Sequence, residues 1–98
     1  MSRVTVKQTR TGDPLEFRVV VEEKGSSTRH RVKLSRATLE RLGRACGKEL
    51  SGEECVEAAF SFLLDREPKE SILAEFDVDV ISRYFPEFER EFPRYLGH

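Results

Sequence analysis

Residues 15–34 read LEFRVVVEEKGSSTRHRVKL, and the periodicity of this stretch decides the fold. Leu15, Phe17, Val19 and Val21 alternate with Glu16, Arg18, Val20 and Glu22. That is the pattern of a strand with one face buried and the other wet. Lys24-Gly25-Ser26-Ser27 makes a turn, and alternation resumes from Thr28. His30, Val32 and Leu34 then share one face, with Arg29, Arg31 and Lys33 on the other. Upstream, Val4 and Val6 alternate with Arg3, Thr5 and Lys7 before a second turn, Thr11-Gly12-Asp13-Pro14. Two hairpins in series give a three-stranded antiparallel meander with one apolar face.

After Leu34 the apolar period becomes helical. Ser35 suits an N-cap, with Leu34 and Leu39 as the hydrophobic staple around it. Leu39, Leu42 and Cys46 follow at helical spacing, and Gly47 suits the C-terminus. Ser51 and Glu54 then match a capping box, with Leu50 and Cys55 at the staple positions. Val56, Ala59, Phe60, Leu63 and Leu64 form a full apolar stripe, which Ala58 and Phe62 widen towards a second neighbour. The helix over 51–66 is therefore expected at the centre of the core. Pro68 ends it and suits the start of a short third helix burying Ile72, Leu73 and Phe76. Asp77 is placed to cap a fourth, carrying Val80, Ile81, Tyr84 and Phe85 and broken by Pro86. In the tail, Phe85, Phe88 and Phe92 fit a helix, while Phe88, Arg90 and Phe92 fit a strand; helix or irregular structure is the preferred reading. The expectation is one α+β domain over 1–98, a β meander in 1–34 followed by about four helices in 35–96.

The charge is sorted along the chain. Residues 1–48 hold twelve cations and five anions, net +7, and the remainder holds five cations and thirteen anions, net −8. Asymmetry of this kind points to an interaction surface, or to two halves that face each other. The composition, 38% hydrophobic and 36% charged, suits a soluble domain with one modest core. No apolar run approaches a bilayer span, and residues 1–6 lack the apolar stretch of a signal peptide, so a cytoplasmic location and no membrane contact are expected.

Enzymatic chemistry has little to stand on. There is no glycine-rich phosphate loop, no Ser or Cys beside a plausible base, and no pair of histidines. Cys46 and Cys55 sit among small and apolar neighbours and read as free buried thiols. Their spacing is not a metal spacing, so neither metal nor cofactor is expected. Asp77 and Asp79 form a D-x-D pair, for which a helix cap is the cheaper explanation.

Two interaction surfaces remain. Residues 28–67 run from a strand with outward Arg29, Arg31 and Lys33 into a capped helix, a glycine-bearing turn and a longer apolar helix. This order resembles the ribbon-helix-helix DNA-binding proteins, whose strands pair between subunits and enter the major groove. The resemblance implies Arg29, Arg31 and Lys33 as base and phosphate readers. The same strand is also expected to pair with residues 15–21 as a hairpin, and a pI of about 6.1 is low for a nucleic-acid-binding domain. The second surface is C-terminal. Residues 62–73 and 81–88 are similar to a group of small bacterial proteins of no assigned function, which implies no activity. Phe85, Phe88, Phe92 and Tyr95 crowd an acidic stretch, and aromatics with arginine are enriched at protein interfaces. A tail folded back on its own core would use the same residues. The preferred expectation is a non-enzymatic binding module, homodimeric, docking protein through its C-terminal half, with DNA binding through the basic strand as the alternative.

Overall fold

A computed structural model of the chain describes residues 2–96. Three strands form the expected antiparallel meander: β1 (Arg3–Arg10), β2 (Leu15–Glu23) and β3 (Ser26–Leu34). Leu15, Phe17, Val19, Val21, His30, Val32 and Leu34, the inward positions of the alternation, are all buried. Their neighbours Arg18, Glu22, Arg29, Arg31 and Lys33 are exposed on the outer face.

Two helices follow, α1 (Arg36–Cys46) and α2 (Gly52–Leu64). The Ser35 hydroxyl accepts the backbone N–H of Thr38 at 3.1 Å, and Gly47 closes α1 at φ +72°, a left-handed turn that costs glycine no Cβ clash. The capping box forms as read: the Glu54 N–H donates to the Ser51 hydroxyl at 3.1 Å, and the Ser51 N–H donates to Glu54 Oε1 at 3.0 Å. Helix α2 lies hard on the sheet. A Cβ on Gly52 would stand 2.5 Å from the Phe17 ring, so the first turn of α2 approaches β2 more closely than any larger residue permits.

Helix α2 is buried on two sides. Phe60 meets His30 at 5.3 Å between ring centroids and Phe76 at 5.9 Å. On its other side Phe62 is ringed by Phe85, Phe88 and Tyr95 at 5.8, 5.0 and 5.7 Å. The widened apolar stripe therefore serves two neighbours, sheet and tail.

The expected third helix does not form. Residues Lys69–Ser71 make one 3-10 turn, and Glu75–Asp77 form a fourth strand, β4, parallel to β3. The Arg31 N–H donates to the Ala74 carbonyl at 2.7 Å, and Arg31, Val32 and Lys33 pair with Glu75, Phe76 and Asp77. In the meander alone one edge of β3 leaves backbone groups unpaired, and β4 pairs with that edge over Arg31–Lys33, which a helix does not do. Ile72 and Phe76 are buried as read, but Leu73 between them points out. The fourth helix shrinks as well. Asp77 is a cap, accepting the Asp79 N–H at 3.0 Å, but it opens a 3-10 turn (Val78–Val80) that leads into the single-turn α3 (Ile81–Tyr84). The tail takes the helical option, as α4 (Phe88–Glu91) and a 3-10 turn over Phe92–Tyr95. Among the described residues no helix is long and apolar enough to cross a membrane.

Candidate functional site

The structure places the four aromatic residues of the expected C-terminal interface inside the molecule or at its seams. Phe88 and Phe92 are 1% and 0% exposed and stack edge-to-face at 5.5 Å. They belong to the core. Tyr95 is half-buried, and its hydroxyl donates to Asp65 Oδ2 at 2.7 Å and accepts from Arg66 Nη1 at 3.2 Å. The Arg66 guanidinium lies 3.7 Å over the Phe62 ring and also donates to Glu87 Oε2 at 3.1 Å. The tail is thus clamped to α2. It covers the far side of that helix, where Phe62 needs a partner, rather than the apolar face of the sheet. Of the four, Phe85 alone keeps one side against the core and another on a surface pocket.

That pocket is the strongest candidate site. It encloses about 330 Å³ and is lined by Leu63, Glu67, Ser71, Ile72, Leu73, Phe76, Val80, Ile81, Tyr84 and Phe85. Its volume is in the range of small ligand sites, and its walls are mainly apolar. Leu73 and Tyr84, 49% and 68% exposed, are the large hydrophobic residues left open to solvent among the described residues, and both stand on this pocket. The walls are held from behind. Nδ1 of the buried His30 lies 2.8 Å from the Leu73 carbonyl, which can only accept, so Nδ1 carries the proton. Nε2 then accepts the Thr28 hydroxyl at 2.8 Å. Both ring nitrogens are engaged, and strand β3 fixes the backbone that presents Leu73.

Neither Leu73 nor Tyr84 stood out in the sequence as a surface residue. Each belongs to an adjacent apolar pair, Ile72-Leu73 and Tyr84-Phe85, and in helix or strand neighbours point different ways. Here one of each pair faces outward, and that adjacency is the available signal.

The second surface is the outer face of the sheet. Arg29, Arg31 and Lys33 all lie on it, exposed. Across the strands Lys7 stands opposite Arg18, and Arg18 opposite Arg31, giving a cationic row three strands wide. Acids interrupt it: Arg31 reaches Glu75 at 3.8 Å, and Lys33 stands opposite Glu16 and Asp77. Strand β3 is paired on both sides, with β2 and with β4. A ribbon built between subunits from this strand would compete with β4 for Arg31, Val32 and Lys33.

Part of the charge asymmetry is resolved within the chain. Arg41 on α1 donates to Asp79 at 3.1 Å and to both carboxylate oxygens of Glu89 at 3.0 to 3.2 Å. Those contacts, Glu89 foremost, raise the Arg41 pKa further. The Thr38 hydroxyl donates to the same Asp79 oxygen at 2.7 Å. Both members of the D-x-D pair are thereby occupied, one as a cap and one in an ion pair. Cys46 and Cys55 are free, and burial pushes the Cys55 thiol up to about 12, the neighbouring Cys46 adding to the shift. Among the described residues no group of three or more His, Cys, Asp or Glu side chains is placed to hold a metal ion.

No family model matches the chain, and no curated protein or solved structure matches it.

Proposed function

We propose that this chain is a small, non-enzymatic protein-docking module that binds a polypeptide through the pocket bordered by Leu73, Tyr84 and Phe85, and that it self-associates as a dimer. The observation that carries the docking reading is the convergence of Leu73 and Tyr84 on one apolar concavity. Large apolar side chains left on a surface beside a preformed hollow are the material of interface hot spots. The backbone that presents them is already ordered by β4 and His30, so little further ordering is needed on binding. A second copy has a separate place to pair, because among the described residues no strand lies against the outer edge of the eight-residue β1.

Two measurements test this reading. Affinity capture with the wild-type chain and with a Leu73→Ala/Tyr84→Ala bait, compared by mass spectrometry, is expected to yield a partner that the variant loses. A partner retained by the variant removes the pocket from the account. Light scattering behind size exclusion, at about 0.05 and 0.5 M salt, is expected to give a dimer at both ionic strengths. A monomer at both ends the dimer reading.

The cationic row favours a second reading, a polyanion such as DNA laid across the sheet face through Arg18, Arg29 and Arg31. It predicts binding that falls steeply with salt and with Arg29→Ala, Arg31→Ala and Lys33→Ala. The acids set among those cations, and the paired edges of β3, make it the weaker of the two.

A further inference from the structure

We propose that the partner of this pocket is a cationic amphipathic segment, with an aliphatic or aromatic side chain seated between Leu73 and Tyr84 and a nearby lysine or arginine on Glu67. The inference rests on the docking reading above and adds the chemistry of the occupant. Glu67 is the one charged residue among those that line the pocket. It is half-buried, and its carboxylate has neither an ion-pair nor a hydrogen-bond partner among the described residues. A carboxylate held against apolar walls without a cation is a group that a ligand cation satisfies.

The surroundings carry the same sign. Residues 67–85 hold Glu67, Glu70, Glu75, Asp77 and Asp79 against Lys69 and Arg83. Glu70, Glu75 and Asp79 are met by Lys69, Arg31 and Arg41 at 2.6, 3.8 and 3.1 Å, which leaves Glu67 and Asp77 without an ion pair among the described residues, against the exposed Arg83 of that segment. An anionic peptide meets repulsion here. A second copy docked across the same patch by two-fold symmetry brings two acid-rich segments together, which disfavours a self-contact at this site. The volume of about 330 Å³ suits one or two anchoring side chains rather than a whole domain surface. An extended or helical segment with a few apolar residues beside Lys or Arg is the occupant that fits size, polarity and charge together.

The test is fluorescence anisotropy with a labelled amphipathic peptide of about 14 residues, four helical turns of alternating Leu and Lys faces, against its Leu/Glu counterpart. The Leu/Lys peptide is expected to bind and to weaken as salt rises, with the Leu/Glu peptide about tenfold weaker or worse. Leu73→Ala and Tyr84→Ala are each expected to weaken the Leu/Lys peptide about tenfold. Glu67→Gln is expected to cost about fivefold, the scale of one partly exposed ion pair. Glu53→Gln/Glu57→Gln, on the exposed face of α2, controls for attraction to any acidic surface and is expected to change nothing. No binding of the Leu/Lys peptide overturns the proposal, as does equal binding of the two peptides. A loss with Glu53→Gln/Glu57→Gln that matches or exceeds the loss with Glu67→Gln also overturns it. If the captured partner still depends on Leu73 and Tyr84 in any of these cases, the occupant's chemistry is wrong and the docking reading stands. If neither peptide nor partner depends on those side chains, both fall.

Discussion

In the tail, Phe88 and Phe92 are sealed between α1, α2 and each other, and Tyr95 is tied to Asp65 and Arg66. In the segment before it, Leu73 and Tyr84 stand open on an apolar hollow although their neighbours Ile72 and Phe85 pack inward. Both regions carry large apolar side chains, the 72–84 segment more densely and mainly aliphatic, the tail mainly aromatic. What separates them is what each packs against. The tail has an unsatisfied apolar flank to cover, the Phe62 side of α2, and its rings fill that gap in edge-to-face contacts. The 72–84 segment buries Ile72, Phe76, Val78 and Ile81 and is held by its backbone as well, through β4, the Asp77 cap and the His30 contact. A segment anchored by its main chain has side chains to spare. The aromatic richness of a stretch therefore says little about where a partner docks until its covering task is known.

That difference can be broken most forcefully from the tail side. Phe88→Ala or Phe92→Ala removes a fully buried ring and is expected to cost about 3–5 kcal/mol in urea unfolding. A cost below about 1 kcal/mol contradicts the assignment of these rings to the core. His30→Leu tests the anchor that ties the Leu73 backbone to β3. It keeps an apolar body but loses the bonds to Thr28 and to the Leu73 carbonyl, and is expected to cost about 1–3 kcal/mol. Faster amide exchange at residues 73–75 is its expected local signature. Leu73→Ala and Tyr84→Ala, at exposed positions, are expected to leave stability within about 0.5 kcal/mol of wild type while removing binding. A large loss of stability from either returns these residues to the core.

The smallest effect is a pH effect. The Glu87 carboxyl is held below its ordinary value of 4.5 by its own backbone N–H and by Arg66, and Glu70 is lowered chiefly by Lys69. A lowered carboxyl pKa adds stability that is complete above the ordinary value and is lost as pH falls through the folded one. Glu70 is exposed and Glu87 sits at the surface beside Arg66, so solvent screens both and the contribution is slight. Glu87→Gln is expected to lower the urea midpoint a little at neutral pH. The difference from wild type is expected to shrink as pH falls through the lowered Glu87 pKa, where the carboxyl becomes neutral like the Gln side chain.

The sheet was legible because period-two alternation over residues 15–34 leaves one consistent face, and both helix caps carry their own local chemistry in Ser35, Ser51 and Glu54. The segment after Pro68 was not legible in the same way. Ile72 and Phe76 are four apart, a spacing that helix and strand both satisfy here, and pairing with β3 is a demand set by a distant element. The burial of the tail aromatics was hidden for the same reason. Phe88 and Phe92 look surplus until Phe62 is seen to need them, while Leu73 hides beside Ile72. The outward cations Arg29, Arg31 and Lys33 were placed on the correct face of β3. The pairing of that strand on its second side was not foreseeable from it.

The most direct test of the docking site is a chemical-shift map of the ¹⁵N-labelled chain titrated with the Leu/Lys peptide. Perturbed amides are expected to cluster at Glu67, Leu73, Tyr84 and Phe85, with Phe88, Phe92 and the outer strand positions unmoved. Perturbations centred on the tail, or spread evenly over the acidic face of α2, contradict the assignment.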